Sequence, residues 1–143
     1  MTMHLRGTVL PDGVERDVYV HNGRFTFEPP ATEPVTLADR GWLVPGLVDC
    51  HAHLSLHSPA GDDAPPEERV LASARAQLDA GVLLLREPGS PDHASAGLTD
   101  RSGVPGIVTA GRFLAAPGRY FPGLGREVEP ARLAVAVAEE APA

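Results

Sequence analysis

The stretch Gly41–Leu54, GWLVPGLVDCHAHL, decides how the rest of the chain is read. Pro45-Gly46 opens a short apolar run, Leu47-Val48, which leads into Asp49-Cys50-His51-Ala52-His53. A strand repeats its side-chain direction every second residue, so an extended run puts Asp49, His51 and His53 on one face and Cys50 on the other. Two imidazoles one residue apart on one face reach a common centre, and imidazole is the most frequent protein metal ligand. His51 and His53 are therefore candidate metal ligands, weighed against two strand histidines with ordinary hydrogen bonds. Asp49 is placed either to accept a hydrogen bond from a ligand ring or to pair with an Arg at the strand's base, and the residues leave both open. Cys50 reads as a small, buried apolar residue.

Downstream of this stretch the pattern alternates between strand and helix. A polar loop, Ser58 to Pro66, precedes a predicted helix from Pro66 to Ala80. Pro65-Pro66 suit a helix start, Glu67 and Glu68 complement the dipole there, and Gly81 suits the stop. Val70, Leu71, Ala74 and Leu78 form the apolar stripe of that helix. Val82-Leu83-Leu84-Leu85 is a continuous apolar run of strand length, as expected of a strand buried on both faces of a parallel sheet, and it ends in Arg86-Glu87-Pro88-Gly89. A loop to Pro105 leads to Ile107-Val108-Thr109-Ala110, then Gly111-Arg112 and a Gly/Pro-rich loop to Gly125. Pro130 to Glu140 is helical in pattern. The order strand, helix, strand, loop, strand, helix is βα alternation of the α/β class. Charged or polar groups stand at each strand's C-terminal end, where βα barrels place their chemistry. Arg86, Glu87 and Arg112 are accordingly candidates for substrate contact or loop ordering, with a structural ion pair equally open. His57 and His93 fall in loops and read as solvated.

Upstream, residues 3–38 read as a small β-meander. Pro11-Asp12-Gly13 marks a turn, and Asn22-Gly23 between Val18-Tyr19-Val20 and Phe25-Thr26-Phe27 is a strong hairpin signal. Pro29-Pro30 ends that strand, and Val35-Thr36-Leu37 supplies one more. So few short strands make no independent core and are expected to pack on something else. The expected organisation is a β-rich domain over 1–40 and a βα region over 41–143.

Composition narrows the classes of function. With 12 basic and 19 acidic residues among 143 the net charge is −7, and no basic run exists, so neither nucleic acid nor an anionic membrane is the expected partner. A single Cys excludes an internal disulfide and fits a reducing compartment, from which a cytoplasmic location is expected. Neither a signal peptide nor a membrane-spanning apolar run is read in the sequence. All 12 basic residues are Arg, and Lys is absent.

Pro-Gly-Leu-Val-Asp-Cys-His-Ala-His after a β-rich N-terminus resembles the first metal-binding strand of the amidohydrolase superfamily. The subgroup it looks most like holds the imidazolonepropionase- and dipeptidase-like amidohydrolases, where an Arg-acid pair ends strand 2 and a Gly-Arg segment ends strand 3. Leu84-Leu85-Arg86-Glu87 and Ala110-Gly111-Arg112 resemble those. Where some members carry Gly-Gly-His after strand 3, this chain has Pro117-Gly118-Arg119-Tyr120 without His, and Tyr120 is a substrate-loop candidate. The resemblance implies the N-terminal part of a TIM-type (β/α)8 barrel preceded by a composite β-sandwich domain. It implies a hydrolase acting on carbon–nitrogen bonds other than peptide bonds in a small-molecule substrate. It also implies one or two divalent ions, expected to be Zn²⁺, held in part by His51 and His53. The family's carboxylated Lys or Glu, two further His and catalytic Asp have no counterpart, and the Lys bridge is impossible without Lys. The roughly 100 residues after Arg40 fall well short of the ~250 of a full barrel, so an N-terminal fragment, inactive alone, is expected. The tail Ala-Glu-Glu-Ala-Pro-Ala, breaking off in or just after a helix, points the same way. A different class stays open: a non-catalytic module or subunit, completed by a complementary chain or as a homo-oligomer. A decayed or mis-bounded reading frame is the third possibility.

Overall fold

The structure is a computed structural model and describes residues 1–141. Pro142 and Ala143, the last two residues of that tail, lie outside the described residues. The chain forms two compact units, Met1–Pro45 and Gly46–Ala143. This division falls later than the 40/41 boundary expected from the sequence, because Trp42–Leu43 pairs into the first sheet.

The first unit is a five-stranded mixed sheet built from β1 (Met3–Val9), β2 (Val14–His21), β3 (Arg24–Thr26), β4 (Val35–Ala38) and β5 (Trp42–Leu43). Asn22 and Gly23 both take positive φ, 49° and 72°, which is what a two-residue hairpin turn between β2 and β3 requires. β2 pairs antiparallel with β1 along its whole length, and β4 and β5 follow one another along the other edge of β1, both parallel to it. Only one large apolar side chain, Val18, is buried here among the described residues. Leu5, Val9, Val20, Phe25 and Leu43 instead line an open groove of about 370 Å³, with Phe25 73% exposed. The expectation of a sheet without a core of its own describes this unit well.

The second unit is organised on a parallel sheet ordered β6 (Leu47–Asp49), β7 (Val82–Glu87), β8 (Gly106–Thr109). The crossover from β6 to β7 is α1 (Pro66–Asp79). Pro65 and Pro66 stand at its start, and Gly81, at φ 89°, gives its N–H to the Leu78 carbonyl at its end. A 3₁₀ turn, Ala94–Leu98, lies between β7 and β8 in what reads from the sequence as plain loop. The later segment holds a two-stranded parallel pair, β9 (Leu114–Ala115) with β10 (Arg126–Glu127), and then α2 (Leu133–Glu140). Among the described residues no helix is long and apolar enough to cross a membrane.

The core of this unit is one-sided. Val70 and Ala74 of α1 pack with Leu85 and Val82 of β7, Ile107 of β8, and Ala52, Leu54 and Leu98. This corrects the reading of β7 as buried on both faces. Leu84 is exposed, because α1 covers one side of the sheet and no described residue covers the other, and Leu83 is exposed where the β6–β7 ladder shifts register. Val48 and Val108 are exposed as well.

Leu85 and Leu84 therefore separate by consequence. Leu85→Ala should cost about 2–5 kcal/mol, as a large-to-small change in a closed core. Leu84→Ala, at a side chain 43% exposed, should cost less than about 1 kcal/mol. Urea unfolding followed by far-UV circular dichroism measures both; equal costs would mean the outer face of β7 is covered after all.

Candidate metal centre

Both candidate histidines stand beyond the strand. β6 ends at Asp49, where the chain bends, so His51 and His53 occupy the loop that leaves it rather than the strand predicted to include them. The bend also turns Cys50 outward. It is exposed, which corrects its reading as a buried apolar residue. Asp49 accepts a hydrogen bond from the backbone N–H of His51 (3.0 Å) and faces the Gln77 amide at 3.4 Å. It thus steadies the bend through the main chain and touches neither an imidazole nor an arginine.

The bend still brings the two rings together. His51 Nε2 and His53 Nε2 are 3.2 Å apart, and the rings meet edge to face at 86°. His53 Nδ1 lies 2.9 Å from the Gly89 carbonyl, which only accepts. His53 therefore carries its proton on Nδ1 and turns the lone pair of Nε2 toward His51. Two bonds of about 2.0–2.1 Å to one Zn²⁺ at the tetrahedral angle separate their nitrogens by about 3.3 Å. The observed spacing matches that, and the donor set, two imidazoles with one ring oriented by a backbone carbonyl, suits a divalent ion. No cluster of three or more His, Cys, Asp or Glu that would hold a metal occurs among the described residues.

Gly89 is close to obligatory at its position. A Cβ there would come within 2.5 Å of the Phe113 ring, which tilts against His53 with centroids 5.3 Å apart. Tyr120 stacks next, 5.3 Å from Phe113, so it stands one ring away from His53 and is half exposed.

The other predicted residues part company. Arg86 is exposed at the end of β7, and its carbonyl accepts the Ala52 N–H at 3.0 Å. Glu87 is 0% exposed and so excluded from substrate contact. Its Oε1 accepts the Leu54 N–H at 3.0 Å, while its Oε2 is buried without a partner. Burial pushes its carboxyl above the ordinary range, opposed in part by polar neighbours that include the Leu54 amide.

Arg112 is held in an ion pair. Its guanidinium and backbone N–H both bond the Glu140 carboxylate, at 2.7 Å and 3.0 Å, and Arg126 reaches the same group at 3.1 Å. His93, read from the sequence as solvated, places Nε2 3.3 Å from Glu140 while staying half exposed. This buried acid, which no motif marks, ties the end of α2 to the loop after β8.

The comparisons with known proteins now have geometry to rest on. No protein-family model matches the chain. Proteins of uncharacterised function from Mycobacterium tuberculosis and Mycobacterium bovis are 40% identical over 140 residues, 97% of this chain and 36% of theirs. The chain thus spans little more than a third of the length of the curated relatives it matches. Among solved structures, a Bifidobacterium longum protein proposed to be a prolidase superposes with TM-score 0.75 at 23% identity, over 97% of this chain and 38% of that one. An amidohydrolase matches with TM-score 0.69 at 20% identity, covering 98% and 44%. The fold is that of the N-terminal portion of amidohydrolases. An N-isopropylammelide isopropylaminohydrolase from Burkholderia multivorans also shares this portion (TM-score 0.58, 21% identity, 99% of this chain and 43% of that one).

The charge cluster gives a pH test. Bonding to Arg112 holds the Glu140 carboxyl down to about 2, against its ordinary 4.5. A depressed folded-state pKa contributes stability that is present above the unfolded value and is lost as pH falls through the folded one. The parent should therefore lose stability relative to Glu140→Gln between about pH 4.5 and 2, having led it by about 1.5–3 kcal/mol at neutral pH. Denaturation midpoints across that range measure the difference; parallel curves would show that Glu140 is ionised equally well in the unfolded chain.

Proposed function

We propose that this chain is the front part of a metal-dependent hydrolase that cleaves a carbon–nitrogen bond in a small-molecule substrate. The observation that carries the reading is the 3.2 Å approach of the His51 and His53 Nε2 atoms at the C-terminal end of a parallel strand. β6, β7 and β8 are then the first strands of a (β/α)8 barrel, whose chemistry belongs at this end. The relatives' length beyond the 36% that this chain covers leaves room for the remaining strands.

His51 and His53 would hold one ion, Zn²⁺ or a similar divalent metal. When bound, such an ion polarises the scissile group and lowers the pKa of water for attack. The chain's own residues prepare for this. Gly89 orients His53, Asp49 steadies the backbone of His51, and the Phe113 ring shields one side of His53. Arg86, exposed at the end of β7, remains the candidate for an anionic group on the substrate. The general acid for the leaving nitrogen and the further metal ligands would come from outside these residues. Restriction to non-peptide bonds is not retained, since one structural neighbour is a prolidase complexed with N-methylphosphonate-L-proline.

Residues 1–143 should bind Zn²⁺ weakly and turn over nothing. His51→Ala and His53→Ala should each weaken that binding by roughly tenfold or more, read by calorimetric titration. Stoichiometric, chelator-resistant zinc on this chain alone would overturn the incomplete-site reading, and unchanged affinity in both variants would overturn the ligand assignment. In cells, the species carrying residues 3–40 should have about three times the 15.0 kDa of this chain. A stable 15.0 kDa species would point instead to a complementary subunit.

A further inference from the structure

The hydrogen bonds that hold the His51–Leu54 segment to the sheet come from the end of β7. Asp49 is aligned with Leu85 at the last rung of the β6–β7 ladder. Beyond the bend at Cys50, Ala52 regains the ladder by giving its N–H to the Arg86 carbonyl. A regular parallel ladder would next send the Leu54 N–H to the carbonyl two residues further on, that of Pro88. It goes instead to the side chain of Glu87. The Glu87 carbonyl is meanwhile engaged on the other side by the Ala110 N–H at 3.0 Å. One residue thus bonds β8 with its backbone and the His-bearing loop with its carboxylate.

We propose that Glu87 is a positioning residue for the His51/His53 pair, its buried carboxylate replacing a backbone acceptor so that His53 stands with Nδ1 on Gly89 and Nε2 toward His51. The inference rests on the metal-site reading above and adds to it the residue that sets the ring geometry. Glu87 touches neither imidazole through a hydrogen bond and, being fully buried, meets no substrate; its influence passes through the Leu54 amide, one peptide away from His53. A filler role explains it less well. A buried carboxylate, even with the Ser95 hydroxyl among its neighbours, is a costlier filler than an apolar side chain of the same length. What the carboxylate supplies in return is an acceptor placed where the ladder has none.

The test uses the ¹⁵N-labelled 143-residue chain and two variants, Glu87→Gln, which keeps the acceptor, and Glu87→Met, which keeps the length and loses it. Long-range ¹H–¹⁵N spectra read the His53 tautomer without metal, and a Zn²⁺ titration on the same samples reads affinity. Glu87→Gln should keep the Nδ1–H tautomer and a Zn²⁺ affinity within about threefold of the parent, whereas Glu87→Met should lose the single tautomer and weaken Zn²⁺ by roughly tenfold or more. Glu87→Met leaves the buried Leu54 N–H without its acceptor, so its thermal midpoint should fall modestly, and both readings are taken well below that midpoint so that the loss at the histidines is not general unfolding. Parent-like histidine signals and affinity in Glu87→Met, or equal damage in both variants, would overturn the proposal. If Glu87→Met does not fold, Glu87→Gln decides, its parent-like tautomer supporting the role and a lost tautomer refuting it. A parent that binds no Zn²⁺ refutes the metal reading, and the metal-free tautomer then judges Glu87 by itself.

Discussion

The chain that carries His51 and His53 has already left its strand, and it keeps a fixed course because the end of β7 runs beside it. Arg86, Glu87 and Gly89 each supply one acceptor, to Ala52, Leu54 and His53 in turn. A net contribution of about 1 kcal/mol per bond is modest, so three in sequence act less as a store of stability than as a jig. The jig is itself held from behind. Val82 and Leu85 press β7 against Val70 and Ala74 of α1, and the absence of a side chain at Gly89 lets Phe113 close over its far side. The histidine geometry is in this way a property of β7 and α1 as much as of the motif that displays it.

Both units bury one face and leave another apolar and open. In the second, Val48, Leu84 and Val108 stand exposed on adjoining strands, and in the first Phe25 and its neighbours line a groove. Isolated exposed apolar residues are ordinary, but stripes that cross several strands are not. They agree with a chain that spans about a third of its relatives and has the fold of an N-terminal portion.

What could be read from the sequence was whatever depends on neighbours along the chain. The bounds of α1 follow from Pro65-Pro66 and Gly81, the β2–β3 hairpin from Asn22-Gly23, and the His51/His53 pairing from a period of two that survives the bend. What could not be read depends on distant partners. Cys50 was misplaced because the bend at Asp49 arises from that residue's side chain bonding the His51 amide, a local alternative to continuing the strand. Glu87 and Arg112 carry similar signals as charged residues at strand ends, yet one is sealed in the core and the other is bound to a carboxylate 28 residues away. Charge and position alone do not separate those fates. The two-sided burial expected of β7 failed for a different reason: the run is apolar enough for both faces, and only one is covered by the described residues.

Trp42 gives the molecule an optical asymmetry. It is the chain's sole tryptophan, lies in β5 of the first unit, and is 69% exposed to solvent. The tryptophan fluorescence of the chain therefore originates in the first unit alone. The second unit is thus dark at tryptophan wavelengths. A tryptophan placed there by substitution, with Trp42 replaced by Phe, would report on that unit alone.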